Sequence, residues 1–178
     1  MIWQDNGIKP VPMAVNVSVK QITSNHFYDL VKNTLLESGM DPKLLELEIT
    51  ETMFVQETDI VSSNIKKIRE MGVHIAIDDF GTGYSAIQYL KSFPVDKIKI
   101  PMNFIHGIDI NVKDESIISV IIALADSLGI DVVAEGVETE NQFNFLMNRY
   151  CSTIQGFLFS KPMAADDALQ YACKDITI

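Results

Sequence analysis

Residues 73–86 read VHIAIDDFGTGYSA. An apolar run ends in two adjacent carboxylates, a loop with two glycines follows, and a helical pattern begins at Ala86. Runs rich in Val and Ile are typical of strands in a parallel sheet that helices cover. The glycines allow the loop to bend tightly after the strand. The segment therefore predicts one strand–loop–helix unit with acidic side chains at the carboxyl end of its strand.

The same order recurs along the whole chain, which predicts an α/β fold. The apolar runs are Met13–Val17, Leu45–Thr50, Val73–Asp78, Val95–Ile100, Asp131–Glu135 and Ser152–Gln155. Helical patterns follow them at Phe27–Glu37, Ile60–Met71, Ala86–Lys91, Glu115–Leu128, Glu140–Asn148 and Ala165–Lys174. Such alternation fits either a doubly wound sheet or a barrel.

Polar side chains at the ends of the runs distinguish these two folds. They are Asn16, Glu48, Asp78 with Asp79, Lys99, Glu135 and Gln155. In a (β/α)₈ barrel the carboxyl ends of the strands converge on one face, where active sites are assembled from many strands. A doubly wound sheet gathers its ligands at one crevice and would not need all six. We therefore expect a modified, TIM-like (β/α)₈ barrel that is incomplete, with about six βα units.

The first residues give an expectation about domain organisation. Met1–Asp5 has the pattern of the last turn of a helix, with Gly7 as its C-cap. A complete barrel has eight units. Residues 1–178 are therefore expected to form a single domain that lacks its first two βα units.

Composition argues against some classes of binding partner and indicates a cellular compartment. The 14 basic and 24 acidic residues give a net charge of −10, which argues against binding to DNA or RNA. No apolar run is long enough to insert in a membrane, and the N-terminus lacks a basic start and an apolar signal core. Two distant cysteines indicate a reducing compartment. These features predict a cytoplasmic protein.

The donor set indicates the chemistry. Carboxylate and amide oxygens suit hard cations such as Mg²⁺ or Mn²⁺. One acidic strand end is more often solvated or a helix cap, but five aligned oxygen donors favour a metal site. Two such ions could activate a water molecule and stabilise the leaving oxygen of a phosphodiester.

The glycine-rich loop also permits a different interpretation. GTGYSA fits the dinucleotide fingerprint GxGxxA between a strand and a helix. However, Asp78 and Asp79 would place negative charge beside the pyrophosphate, and residues 98–104 offer no carboxylate for the ribose. An NAD site is therefore disfavoured.

Taken in order, several motifs resemble the EAL domain family over nearly the whole chain. They are Asn16-Val17-Ser18, Glu48-Ile49-Thr50-Glu51, the Asp78–Ser85 loop, Lys99-Ile100, Glu135-Gly136-Val137-Glu138 and Gln155-Gly156-Phe157. The resemblance implies a modified (β/α)₈ barrel that uses two Mg²⁺ or Mn²⁺ ions to hydrolyse cyclic di-GMP, a bacterial second messenger, to linear pGpG.

The resemblance also implies roles for nine residues. Asn16, Glu48 and Asp78 resemble ligands of one metal ion, and Asp79 resembles a ligand of the second. Lys99 is similar to the lysine that holds the attacking water. Glu135 resembles a general base or a further contact to the second metal. The remaining positions resemble a loop anchor (Glu51), a supporting site residue (Glu138) and a substrate-binding residue (Gln155).

Two departures from the family leave its activity open. The Glu-Ala-Leu triplet, which would supply another metal ligand, is absent, and Pro101 stands where the family usually has Asp. The alternative to a phosphodiesterase is therefore an inactive EAL-like domain that acts as a cyclic di-GMP receptor or binds a protein partner. A folded fragment without its own function is a third hypothesis.

An open barrel would also leave Met13–Val17 as an edge strand, which predicts self-association.

Overall fold

A computed structural model describes residues 10–54, 59–83, 90 and 93–172. Its strands are β1 (Met13–Val17), β2 (Leu45–Thr50), β3 (His74–Asp78), β4 (Lys97–Ile100), β5 (Asp131–Glu135) and β6 (Thr153–Gln155). All six apolar runs contain a strand, although β3, β4 and β6 begin one or two residues later than the runs. The predicted helix over Met1–Asp5 and the segment Ala86–Lys91, apart from Leu90, lie outside the described residues.

The described helices follow the strands as predicted, and four short elements add to them. The helices are α1 (Val19–Ile22), α2 (Phe27–Ser38), α3 (Glu51–Phe54), α4 (Asp59–Glu70), α5 (Met102–Ile105), α6 (Val112–Leu128), α7 (Glu140–Met147) and α8 (Ala165–Ala172), with a 3₁₀ helix at Pro42–Leu44. Helices α1, α3, α5 and the 3₁₀ helix are single turns, too short to show a hydrophobic period in the sequence.

Helix α6 begins earlier than its apolar pattern because its cap lies outside that pattern. The side chain of Asn111 accepts a hydrogen bond from the backbone N–H of Lys113, which satisfies one of the free donors at the helix start. Gly129 ends the helix in the left-handed conformation, at φ 67°. The helix therefore gains a turn that the hydrophobic spacing alone does not reveal.

The strands form one parallel sheet in the order β1-β2-β3-β4-β5-β6. In a barrel, parallel strands lie side by side in the order of the sequence. In a doubly wound sheet, the order of the strands reverses at a switch point. Since crossovers between parallel strands are right-handed, all connecting helices lie on one side of this sheet. The TIM-like fold is confirmed, with six consecutive strands in the described part of the chain.

The apolar core lies between the sheet and its helices. Alternate residues of the strands, such as Ile75, Ile77 and Ile98, are almost fully buried there. They belong to one hydrophobic cluster with Ile65 of α4 and Ile118 of α6. The opposite, inner face of the sheet carries the polar strand residues, and this separation brings those residues together. Within the described residues no helix has the length and apolar character needed to cross a bilayer.

Asp96 joins the elements at the amino end of the sheet. Its carboxylate accepts hydrogen bonds from the Arg69 side chain on α4 and, at 2.8 Å, from the backbone N–H of Ile75 on β3. Its carbonyl oxygen accepts a hydrogen bond from the N–H of Asp131 at the start of β5. Burial opposes ionisation of this carboxyl, but the Arg69 and Ile75 hydrogen bonds outweigh it and lower its pKa. The sequence analysis did not single out Asp96.

Candidate active site

The inner face of four adjacent strands brings four predicted site residues together. Glu48 lies on β2, Asp78 ends β3, Lys99 lies on β4 and Glu135 ends β5. The side chains of all four are largely or partly buried. Because parallel strands end at the same edge of a sheet, these side chains meet near one rim of the barrel.

Lys99 is the centre of this cluster. Its Nζ lies 2.6 Å from Glu48 Oε1, 2.7 Å from Glu135 Oε1 and 3.4 Å from Asp78 Oδ1. Only 8% of the lysine side chain is exposed to solvent. A buried charge is tolerated when it is paired and hydrogen-bonded, as this ammonium is. We use the name "lysine cluster" for Lys99, Glu48, Asp78 and Glu135.

The protonation states of the cluster follow from burial and pairing. Burial disfavours the Lys99 ammonium, but hydrogen bonds to Glu135 and Glu48 outweigh it and raise its pKa above the ordinary value. Lys99 is therefore protonated at neutral pH and cannot serve as a base. Burial raises the pKa of Glu135, although its contact with Lys99 opposes the change.

Asn16 and Asp79 stand at the margin of the cluster. Asn16 pairs in register with Glu48 on the neighbouring strand, and its side chain is exposed. Asp79 is exposed and adopts a left-handed backbone conformation, with φ 55°. Its N–H donates a hydrogen bond to Asp78 Oδ1 at 3.0 Å. This conformation is uncommon for a residue with a side chain and occurs often at functional sites.

Glu51 connects the end of β2 to the glycine-rich loop. This buried carboxylate accepts hydrogen bonds through Oε2 from the N–H groups of Gly81, at 2.9 Å, and Gly83, at 3.2 Å. Its Oε1 is buried without a hydrogen-bond partner. A side chain at Gly83 would place its Cβ 2.9 Å from that oxygen. These are the contacts that an anchor of the loop requires.

Glu138 lies on the loop after β5 and Gln155 ends β6, and neither belongs to the lysine cluster. Glu138 is exposed, and its carboxylate lies 4.0 Å from His106 Nε2. The side chain of Gln155 is exposed, while its carbonyl oxygen accepts a hydrogen bond from the N–H of Val137. The next residue, Gly156, packs so closely that a Cβ would lie 2.0 Å from the Val137 carbonyl oxygen. Close backbone packing therefore fixes the position of Gln155.

The donor chemistry of these residues fits Mg²⁺ or Mn²⁺, since the side chains offered are carboxylates and an amide. Within the described part of the chain, no three Asp, Glu, His or Cys side chains are positioned to hold a metal ion. The carboxylates of Glu48, Asp78 and Glu135 point at the Lys99 ammonium instead. The assignment of Asn16, Glu48, Asp78 and Asp79 as metal ligands stays a prediction.

A second ion pair lies one layer below the cluster and was missed by the sequence analysis. Glu46 and Lys97 each precede a cluster residue by two positions, so they share its face of the sheet, and they form a salt bridge across β3. Ala76, which is fully buried, lies between the two strands in register with Glu48 and Lys97. The signal in the sequence is the spacing itself, Glu-x-Glu on β2 and Lys-x-Lys on β4.

The chain is similar to known proteins over most of its length. The EAL domain family matches residues 2–162. This chain belongs to the EAL domain family. A relative from Pseudomonas aeruginosa, the bifunctional diguanylate cyclase/cyclic di-GMP phosphodiesterase MucR, is 40% identical over 168 residues, which cover 94% of the chain and 24% of MucR. The chain spans about a quarter of the length of the curated relatives it matches.

Solved structures of EAL proteins share the fold. The EAL domain of Mycobacterium smegmatis DcpA superposes with a TM-score of 0.90 at 37% identity, covering 96% of this chain and 77% of that one. A cyclic di-GMP complex of the MucR phosphodiesterase gives 0.88 at 40% identity, covering 94% and 68%. The manganese and cyclic di-GMP complex of BlrP1 from Klebsiella pneumoniae gives 0.78 at 34% identity, covering 85% and 39%. These EAL structures thus include complexes with the nucleotide and with a divalent metal.

Proposed function

We propose that this EAL domain is a metal-dependent phosphodiesterase that hydrolyses cyclic di-GMP to linear pGpG. The observation that carries the proposal is the lysine cluster, in which four strands contribute one ammonium and three carboxylates to a single rim. Relatives named as cyclic di-GMP phosphodiesterases and structures solved with that nucleotide support the substrate.

Two Mg²⁺ or Mn²⁺ ions are the proposed cofactors. Asn16, Glu48 and Asp78 would hold one ion, and Asp79 would take part in holding the second. Bound ions of this kind lower the pKa of a water molecule and stabilise the leaving oxygen of a phosphodiester. They would also offset the repulsion between an acidic site and an anionic substrate.

The chain's own residues supply orientation and proton transfer in this proposal. Lys99 stays protonated, so it donates hydrogen bonds and orients the attacking water rather than deprotonating it. Glu135 lies 2.7 Å from Lys99 and has a raised pKa, which suits a carboxylate that accepts a proton from that water. Glu51 holds the loop that carries Asp79, and Gln155 and Glu138 border the substrate.

The direct test is chromatography of the nucleotides after the purified chain is incubated with cyclic di-GMP and Mg²⁺ or Mn²⁺. We expect linear pGpG to appear, and Glu48→Gln to slow its formation by about a hundredfold or more, because a ligand of the ion is lost. The matched control is Glu46→Gln, a change on the same strand and face that should leave hydrolysis largely intact. Equal rates for wild type and Glu48→Gln would contradict the proposal.

Pro101 favours one alternative, a cyclic di-GMP receptor that does not hydrolyse its ligand. This residue is the N-cap of α5, two positions after Lys99, and offers no carboxylate there. Binding measured by calorimetry without turnover in the wild type would support the receptor. If Pro101→Asp then produced hydrolysis, the missing carboxylate would be the cause of the inactivity.

Partners and compartment are further parts of the proposal. Among the described strands β1 is paired on one side only, and Met13 and Val15 on it are about half exposed. These features support self-association through this edge. A reducing, cytoplasmic location is the compartment we propose, and it agrees with Cys151, which is a free thiol in the described part of the chain.

A further inference from the structure

In the lysine cluster, the position of the Lys99 ammonium offsets the repulsion between three carboxylates. Glu48, Asp78 and Glu135 place three carboxylates around one point, and like charges so close would repel strongly in a partly buried site. The Lys99 Nζ occupies that point and lies within 3.4 Å of an oxygen of each carboxylate. In the described residues these carboxylates thus converge on an ammonium and not on a cage for a metal ion.

We propose that the Lys99 ammonium is the internal counter-ion of the metal-free site, which holds the carboxylates of Glu48, Asp78 and Glu135 in place and releases the first two when a divalent cation binds. The inference rests on the proposed function, because it takes Glu48 and Asp78 as metal ligands. It adds a role for Lys99 before any substrate is present.

The Glu46–Lys97 ion pair, one layer below, explains why Lys99, among the described residues, pairs only within the lysine cluster. Lys97 is already paired with Glu46, so the carboxylate nearest below the cluster is neutralised. Lys99 therefore has its partners only among the site carboxylates that the structure describes. Two lysines on one strand thus serve different carboxylates, which provides a matched pair of positions for an experiment.

The first experiment compares Lys99→Met with wild type in the absence of nucleotide, by calorimetric titration with Mn²⁺ and by thermal unfolding. In wild type the ion must compete with the ammonium for Glu48 and Asp78, so we expect the variant to bind Mn²⁺ at least about tenfold more tightly. Without metal, its three carboxylates lack a counter-ion and its melting temperature should fall. Saturating Mn²⁺ should restore most of the loss.

Lys97→Met is the control, since it removes an ammonium from the same strand and face. We expect its Mn²⁺ affinity to stay within about twofold of wild type, because its partner Glu46 is not a proposed ligand. Its melting temperature should fall equally with and without metal. Weaker or unchanged Mn²⁺ binding in Lys99→Met, or the same tightening in both variants, would overturn the inference.

A measurement on the wild-type chain keeps the inference testable even where Lys99→Met does not fold. The ammonium groups of buried lysines can be observed by ¹H–¹⁵N NMR, and Lys99→Arg assigns the signal of Lys99. We expect a protected Lys99 signal without metal that shifts as Mg²⁺ is added. A signal that is unchanged at saturating Mg²⁺ would overturn the inference.

The outcomes separate the inference from the proposed function. A wild-type chain that binds Mg²⁺ or Mn²⁺ and hydrolyses cyclic di-GMP, but shows no response of Lys99, refutes only the counter-ion role. A wild-type chain that binds neither cation refutes both.

Discussion

At the scale of single residues, Glu51 shows how one buried carboxylate can hold a glycine-rich loop in place. One oxygen receives two backbone N–H groups, and the other faces the α-carbon of Gly83 without a partner. This buried carboxylate keeps its hydrogen bonds only while the loop stays close. The position of Asp79, two residues before Gly81, therefore depends on a contact outside the proposed metal site.

Gly83→Ala should uncouple this contact. The new Cβ would lie 2.9 Å from Glu51 Oε1, closer than side-chain carbons approach other atoms, so either the loop or the Glu51 carboxylate must shift and their hydrogen bonds weaken. We expect hydrolysis of cyclic di-GMP to fall by about tenfold or more, because small displacements of a site residue have large effects on rate. The measurement is the initial rate at saturating Mn²⁺.

Gly129→Ala is the matched control for that variant. Gly129 also lies in a loop, at the end of α6, and no atom lies within 4 Å of the position of an added Cβ. Its positive φ makes alanine unfavourable by about 1 kcal/mol in the free energy of unfolding. Activity should stay unchanged; a similar loss of rate in both variants would show that the Glu51 contact has no special role.

Asp96 gives a prediction about pH. Its pKa is lowered in the folded chain, so its stabilising effect is present above the unfolded pKa of about 4 and is lost as the pH falls below it. Asp96→Asn should reduce the free energy of unfolding by about 2 kcal/mol at pH 7, because charged hydrogen bonds to Arg69 and Ile75 are weakened. In urea titrations the difference between the two proteins should begin to shrink as the pH falls below about 4 and vanish below the lowered pKa of Asp96 in the folded chain. A constant difference down to pH 3 would contradict this account.

At the scale of secondary structure, β3 separates the two ion pairs from the apolar core. Ala76 faces the inner side, where the Glu46–Lys97 and Glu48–Lys99 pairs cross the strand, and Ile77 faces the helices. A small residue at position 76 leaves room for four long side chains to meet above it. On β3, Ala76 therefore determines the space available to the site, and the next residue, Ile77, packs in the core.

Ala76→Leu should disrupt both ion pairs. Its side chain would displace the Glu48 carboxylate, itself a proposed metal ligand, from the inner face, so we expect Mn²⁺ affinity to fall by about tenfold. Ile77→Val, the adjacent residue on the other face, is the control: it should lower the free energy of unfolding by about 1 kcal/mol and leave Mn²⁺ binding intact. Calorimetry and urea unfolding distinguish these effects, and metal binding by Ala76→Leu equal to wild type would refute the steric role of Ala76.

Most of the strands, and the side chains that meet at their ends, could be predicted from the sequence. Strands β1, β2 and β5 match their apolar runs, because a short run rich in Val, Ile or Leu can be recognised from local sequence. The convergence of Glu48, Asp78, Lys99 and Glu135 followed from strand topology. The Glu46–Lys97 pair did not, since both residues look like exposed charges until the register of β2, β3 and β4 is known. Asp96 was missed for the same reason: its partners come from three different elements.

At the scale of the whole molecule, the edge of β1 is the feature with a measurable consequence. We expect the weight-average mass in sedimentation to rise with protein concentration, because the exposed edge and Val15 favour pairing with a second chain. Val15→Lys should weaken this association by introducing charge at the edge. Leu36→Lys, which changes a more exposed apolar residue on α2, is the control and should have no effect. A single monomeric species at every concentration would contradict the prediction.

The two faces of the sheet also have a consequence for how this protein can change. On β4, Lys99 contacts the site carboxylates while Ile98 and Ile100 on either side of it are fully buried in the core. Because the strand residues alternate in this way, substitutions that alter chemistry and substitutions that alter folding occupy interleaved positions. Substitutions on the inner face can therefore change the ligand that the site binds, while the buried residues that stabilise the fold are kept.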